Sequence, residues 1–414
     1  MRAGTTGKRI RLTFVLLLIV SFLTGCWDRL EIEERAVVLG IAIDSANSED
    51  VAEEELGVSH MKGRHADPKN TGVKLTVQIA VPGRIPLGPG GEGGGGGGTG
   101  GEKRSTWVLQ VSGHSMDDAM SNLQQQISAT IFLGHLRVIV VSEQLAKRGL
   151  KDINDYLRRN PEVRRLTWMV VSKGDAARFM VATPELERVP ALYLLSSMEQ
   201  SVRMGKFPKG FVGKFWSNMS KLGQEAFLPY VSLKEKDNLA IEGMAYFRND
   251  KMVGKTEPLE IGYYLGIKGI NPAGYSAYEP VPGSKGIVVF NSINRQTVTK
   301  LKMIHGKPHF TVHIFLEGNI REKINYPYEL NDATIKKIEQ NMSKKAWIAY
   351  YDLVKKTQKD GSDIFGFGEM LRAKQPRFWN ENVRTKEKWQ EMYKDIPIDI
   401  KLNVRIRRTY MSAK

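Results

Sequence analysis

The chain holds one cysteine, Cys26, among 414 residues. A single thiol excludes an internal disulfide framework, a cysteine-rich zinc module and a CxxC redox pair. Long apolar runs are missing as well. No stretch reaches the ~18–20 uninterrupted apolar residues of a spanning helix, which excludes a polytopic channel or transporter. Histidines number seven, and no HExxH, GxSxG, SxxK or EF-hand pattern occurs. His305, His309 and His313 recur every four residues, like helical metal ligands. Gly306 and Pro308 break a helix there, and Phe310, Val312, Ile314 and Leu316 alternate as a strand does. On a strand His309 and His313 stand ~13 Å apart, too far for one metal with ~2.1 Å bonds. His135, after Gly134, reads as a packed or capping histidine. Asp28, Glu31 and Asp44 read as an acidic surface segment rather than as paired catalytic acids. The expectation is no catalytic residue, no metal and no cofactor: not an enzyme.

What is present is ordinary for a folded chain: 41% hydrophobic and 26% charged residues, enough for two to three domains. The net charge of +16 is unevenly spread. Residues 26–200 carry 20 Lys+Arg against 23 Asp+Glu; residues 201–414 carry 37 against 22. A basic half suits nucleic acid, an anionic membrane surface or an acidic partner, and otherwise serves solubility.

The first residues narrow that choice. Lys8, Arg9 and Arg11 precede a 12-residue apolar run, 12–23. A basic segment before 7–15 apolar residues has the form of a secretory signal. As a helix the run spans roughly 18 Å, short of a ~30 Å hydrocarbon core. Leu23-Thr24-Gly25-Cys26 follows and resembles the bacterial lipobox. That resemblance implies cleavage before Cys26, a diacylglyceryl group on its sulfur and an acyl group on its nitrogen. Residues 1–25 are thus read as a lipoprotein signal peptide. The remainder would hang from a membrane on the side away from the cytoplasm, which makes nucleic acid an unsuitable partner.

Along the rest of the chain, an N-terminal α/β domain is expected over 26–200. It contains strands at 36–43, 73–81, 106–111, 136–141 and 166–171, and helices from Ser115, over 143–159, around 174–181 and over 185–203. Between positions 88 and 101, 11 of 14 residues are glycine. This Gly-rich loop, 83–104, runs into a strand rather than into Gly-Lys-Ser/Thr and a helix, so it is no phosphate cradle. A small α/β region is expected over 201–270, with strands at 228–234 and 241–247. Its Phe207, Phe211, Phe215 and Trp216 read as a bridge between domains.

A basic C-terminal α/β domain is expected over 271–414. Residues 271–286, with Asn271-Pro272, Glu279-Pro280 and Val281-Pro282-Gly283, read as a boundary or a long loop, and strands follow at 287–293, 298–304 and 310–320. A long helix runs from Asn331 to about residue 359, with Ile335, Ile338, Met342, Ala346, Ala349 and Leu353 on one face. Shorter helices cover 364–373 and 384–394. The last strand alternates six apolar residues, Ile396 to Ile406, with polar and mostly basic ones. The fold class is α+β or mixed α/β, multidomain, with mostly antiparallel or mixed sheets packed with helices.

Three segments together carry a family resemblance. Leu23-Thr24-Gly25-Cys26-Trp27-Asp28, Glu31 and Ala36-Val37-Val38-Leu39-Gly40-Ile41-Ala42-Ile43-Asp44 form the first. Phe132-Leu133-Gly134-His135-Leu136-Arg137-Val138-Ile139-Val140-Val141-Ser142 is the second. Asp363-Ile364-Phe365-Gly366-Phe367-Gly368-Glu369, followed by Pro376, Trp379 and Trp389, is the third. The chain resembles the Ger(x)C spore-germination lipoproteins. The glycine run is not part of that pattern. The resemblance implies the C subunit of a nutrient germinant receptor on the outer face of the spore inner membrane. It implies A and B subunits as partners, a fold of three α/β domains, no catalysis, and Cys26 as the lipid attachment site. The basic half would meet anionic lipid or acidic partner loops. Asp363, Phe365, Phe367 and Glu369 are read either as a tight turn packing two aromatics or as a partner contact. The rival functions are a ligand-capturing lipoprotein serving a transporter, for which the aromatics of 207–216 would line a cleft, and a cell-wall hydrolase.

Overall fold

The computed structural model describes residues 34–47, 49–51, 72–81, 105–182, 187–325 and 327–409. Cys26, the signal segment and the Gly-rich loop lie outside the described residues. Two sheets organise the rest.

The first sheet begins with β1 (Arg35–Ser45), β2 (Val73–Ala80) and β3 (Thr106–Gly113). Helix α1 (Met116–Gln125) follows, its Ser115 side chain accepting the Asp118 N–H as an N-cap. Then come β4 (Thr130–Phe132), β5 (Val138–Ser142), α2 (Glu143–Arg148), α3 (Lys151–Arg159), β6 (Trp168–Ser172), α4 (Arg178–Val181), α5 (Pro190–Arg203) and α6 (Val212–Met219). β7 (Phe227–Leu233), β8 (Leu239–Arg248) and β9 (Lys251–Lys255) complete it. The strand order is β3-β2-β1-β5-β6-β7-β8-β9, with β4 on β1. The centre, β1-β5-β6-β7, is parallel and both flanks are antiparallel. No break in pairing falls at residue 200, because β6 pairs directly with β7. The strands of the expected middle region extend the first sheet.

Helix α7 (Pro258–Ile267) leads to the second sheet: β10 (Ser276–Pro280), β11 (Ile287–Ile304), β12 (Lys307–Ile324) and β13 (Ile398–Thr409), in that order. β12 returns through α8 (Asp332–Lys359), α9 (Phe367–Lys374), α10 (Pro376–Asn382) and α11 (Lys386–Tyr393) to β13, which pairs parallel to it. One core lies on each face of the first sheet. Another joins the sheets, uniting Phe227, Met244 and Tyr246 with Phe310, Val312, Ile314, Ile398 and Ile400.

Several expectations are corrected. The helix expected over 143–159 is two helices: Gly149 sits at φ +132°, and a Cβ there would lie 2.5 Å from the Asp250 carboxylate. The strands expected at 287–293 and 298–304 are one strand, kept continuous through a register shift between Ser292 and Asn294. The proline-rich segment 271–286 contains a strand, β10. The three histidines lie on the β11–β12 hairpin. His305 (φ 47°) and Gly306 (φ 73°) make its two-residue turn, which needs positive φ at both positions.

Candidate functional site: a buried joint and a basic outer surface

The segment after α8 is where the two sheets are fastened. Gly361, at φ +64°, turns the chain out of the helix. Ser362 donates its hydroxyl to the Phe247 carbonyl at 2.6 Å, and Tyr246 donates to the Asp360 carboxylate at 2.6 Å. Both contacts pin this loop to β8. Asp363 follows, 1% exposed. Its Oδ1 accepts the N–H groups of Phe365 (3.1 Å) and Gly366 (2.7 Å). Its Oδ2 accepts Gly368 N–H (2.9 Å) and the Trp389 indole N–H (3.1 Å). Burial pushes the carboxyl up to about 6, and the surrounding N–H donors pull the other way.

The opposite wall is the segment before β7. Glu225 N–H donates to the Asp363 carbonyl at 2.8 Å. Gly223 N–H donates to Glu369 Oε1 at 2.8 Å, and Glu369 N–H returns to the Gly223 carbonyl at 3.0 Å. The backbones touch: a Cβ on Gly223 would fall 2.2 Å from the carbonyl carbon of Gly368. A second buried carboxylate stands beside the joint. Glu225, 2% exposed, meets Lys386 Nζ at 3.0 Å, Gln390 Nε2 at 2.7 Å and Asn249 N–H at 3.0 Å. Burial raises its pKa, while Lys386 is foremost among the groups opposing that. The ring layer of Phe365 and Phe367 fills the joint: Phe365 stacks on Tyr264 at 5.8 Å, and Phe367 lies 5.0 Å from Phe310.

Asp363, Phe365 and Phe367 are therefore not available to a partner, and the contact reading for them is corrected. Each is at most 3% exposed, enclosed by the protein's own rings and N–H groups. Glu369 reaches the surface, but its carboxylate is bound by Gly223 N–H and by Arg372 at 2.8 Å. The turn that packs two aromatics is the geometry found. Asp44, another acid considered in the sequence, caps the turn at Ala176 and Ala177 with 2.8 and 3.0 Å bonds. His135 packs edge-on against Phe132 at 5.8 Å.

The aromatics of 207–216 are engaged in packing, with the half-buried Phe211 meeting Trp168 edge-on at 5.1 Å. Phe207 and Phe215 are 1% exposed, and Trp216 donates its indole N–H to Asn154 at 3.0 Å inside the first sheet's core. A cavity of about 630 Å³ opens elsewhere, beside α1 and α3. Its walls mix charges of both signs, among them Arg148, Lys151, Arg159, Asp117, Asp152 and Asp250, with Tyr156 as its aromatic. Among the described residues no group of three or more His, Cys, Asp or Glu is placed to hold a metal. Likewise, no helix among them is long and apolar enough to cross a membrane.

The excess positive charge lies on the outside of the second sheet and of α8. The solvent face of the sheet presents Lys300, Lys302, Lys401, Arg405 and Arg407 around Val298 and Phe315. Two of its acids are paired: Glu317 with Arg407 at 2.7 Å, and Asp399 with His309 at 2.8 Å.

Comparison with known proteins agrees with this architecture. Residues 28–233 match the family model described as spore germination protein N-terminal domain. Residues 242–410 match spore germination B3/GerAC like, C-terminal. The chain belongs to the GerAC-like spore germination family. The first match ends with β7 and the second begins at Glu242, inside β8, so in this chain the C-terminal matched region supplies most of β8 and all of β9 to the first sheet. Spore germination protein KC of Bacillus subtilis (strain 168) is 24% identical over 97% of this chain and 96% of its own length. Spore germination protein GerQC of Bacillus cereus is 24% identical over 75% of this chain and 84% of its own. The crystal structure of the GerBC protein shares the fold at a TM-score of 0.53 and 16% identity, covering 83% of this chain and 96% of that one.

Proposed function

We propose that this GerAC-like protein is the C subunit of a nutrient germinant receptor, a non-catalytic body tethered to the spore inner membrane through a lipid on Cys26. The family match over both halves of the chain, directly after a lipobox-like cysteine, is the observation that carries this reading. A cleaved signal would leave Cys26 at the start, and two or more acyl chains give stable anchoring at ~0.8 kcal/mol per buried CH₂. Tethering raises the effective concentration of weak contacts with the A and B subunits. The Asp363 joint suits such a role, because a body that passes a signal between partners must not flex where its two sheets meet. The basic outer surface of residues 201–414 supplies a secondary attraction to anionic lipid headgroups. Of the aromatics that motivated a ligand-capturing reading, Phe207, Phe215 and Trp216 are core residues and the half-buried Phe211 packs on Trp168, so they lend it no support.

Cys26→Ala tests the proposal. It should release the protein from spore membranes and impair nutrient-triggered germination. The native N-terminus should show a lipidated Cys26 by mass spectrometry. A membrane-bound and fully active Cys26→Ala protein, or an unmodified thiol at position 26, would overturn it.

A further inference from the structure

Helix α8 has two faces of opposite character. Ile338, Met342, Leu353 and Val354 are buried against the body. The solvent stripe runs Lys337, Lys344, Ile348, Tyr351, Lys355, at the three-, four- and seven-residue spacings of one helix face, with Trp347 beside it. Trp347 is 42% exposed and Ile348 48%. The rings of Trp347 and Tyr351 stack, with centroids 5.5 Å apart and planes at 17°. The Lys355 ammonium stands 5.4 Å from the Tyr351 ring. Neighbouring lysines that lean toward the body are tied down, Lys345 to Glu279 and Lys356 to Glu260. No ion pair among the described residues involves Lys337, Lys344 or Lys355. Asp352 is exposed on the flank of the stripe.

We propose that this stripe of α8 is the face on which the protein rests on an anionic bilayer, with Trp347, Ile348 and Tyr351 entering the headgroup layer and Lys337, Lys344 and Lys355 meeting lipid phosphates. Tryptophan and tyrosine combine an apolar body with a polar tip, which favours the boundary between water and hydrocarbon. Lysines are drawn to a negative leaflet within a Debye length of it. An acidic protein segment would answer the lysines alone; a bilayer answers the lysines and the amphipathic rings together. The helix is already folded by its inner face, so docking carries no cost of forming it. The open face of the second sheet is a weaker candidate: it presents the exposed carboxylate of Glu322 beside the paired Glu317 and Asp399, and its exposed tyrosine, Tyr278, lies on the edge strand β10 away from Val298 and Phe315. The inference rests on the reading of the chain as a tethered membrane protein.

The test uses the full-length chain reconstituted with vesicles of phosphatidylglycerol and phosphatidylcholine that carry brominated acyl chains. Tryptophan emission is compared between the native chain, Trp347→Phe and the double variant Lys344→Glu/Lys355→Glu. All these positions are at the surface, so circular dichroism should be unchanged. The native chain should lose more emission to the bromolipid than Trp347→Phe does. Charge reversal, or high salt, should abolish that excess. Protein that pellets with the vesicles but is quenched equally with and without Trp347 overturns this inference alone. Protein that stays in the supernatant overturns the tethered reading along with it.

Discussion

The two sheets of this protein are built from similar strands but finished differently. In the first, helices cover both faces. Val138, Ile139, Val140 and Val141 are all 0% exposed, with Ile139 and Val141 in one core and Val138 and Val140 in the other. In the second, α8 and its successors cover one face and water covers the other. There Ile398, Ile400 and Val404 are buried, while Asp399, Lys401, Asn403 and Arg405 are exposed. The charge follows the coverage: the near-neutral stretch 26–200 makes most of the closed sheet, and the basic stretch 201–414 makes the open one. A strand buried on both faces has no position to spare for charge. Surface chemistry, and with it any electrostatic attraction to a membrane, therefore falls to the second sheet and α8. The Asp363 joint fastens the two together.

Breaking that joint should have the largest effect. Asp363→Ala leaves the N–H groups of Phe365, Gly366 and Gly368 and the Trp389 indole without their acceptor. At 1–3 kcal/mol for each buried group left unsatisfied, the loss should be about 4 kcal/mol or more. Denaturant unfolding should also change from one transition to two, as the sheets uncouple. A single transition displaced by under about 1 kcal/mol would show that the joint does not couple them.

A pH dependence comes next in size. Burial lifts the Asp363 carboxyl from the ordinary 3.8 to about 6, so the folded state holds the proton more tightly than the unfolded state. Its contribution to stability is fully present below about pH 4 and is lost as pH rises toward 6, by up to about 3 kcal/mol. Asp363→Asn cannot titrate. It keeps an acceptor for one pair of N–H groups but turns an NH₂ toward another. Its deficit relative to the native chain should therefore be greatest near pH 4 and shrink toward pH 7. Denaturation midpoints at both ends of that range measure it, and a deficit independent of pH would contradict the raised pKa.

What the sequence discloses follows the same division between local pattern and distant contact. The continuous apolar runs 36–43 and 136–141, the alternation from Ile396 to Ile406 and the inner face of α8 are periodic signals, and each forms the kind of element expected. Helix α7 was missed because Ile261, Tyr264, Leu265 and Ile267 are buried on several sides and leave no stripe. The usable signal was Pro258 at the first turn, with Glu260 accepting the Glu257 N–H at 2.6 Å. The glycines and aromatics of 363–369 announced a special turn, yet not that Asp363 is its hub, because Trp389 and the Glu225 strap come from far along the chain. The Glu225–Lys386 pair has no local signature at all; only the folded chain brings those residues together. The outward position of Trp347, Ile348 and Tyr351 was implicit in the helical spacing, since none belongs to the inner face.

The smallest predicted effect tests the contrast between the sheets most directly, because one chemical change is made in both. Val140 lies 0% exposed on the covered face of β5, and Val298 lies 51% exposed on the open face of β11. Val→Thr keeps the β-branched shape and replaces a methyl with a hydroxyl. At Val140 the hydroxyl enters a core whose neighbours include Trp168, Val170 and Phe179, where a polar group without a good partner costs about 1–3 kcal/mol. At Val298 the hydroxyl points into water beside Lys300 and His313, and surface changes of this kind stay within about 0.5 kcal/mol. The two variants should separate clearly in urea unfolding, with Val140→Thr lower. If Val298→Thr were as destabilising as Val140→Thr, the outer face of the second sheet would have to be covered in solution, and the division between a closed sheet for packing and an open one for surface chemistry would fail.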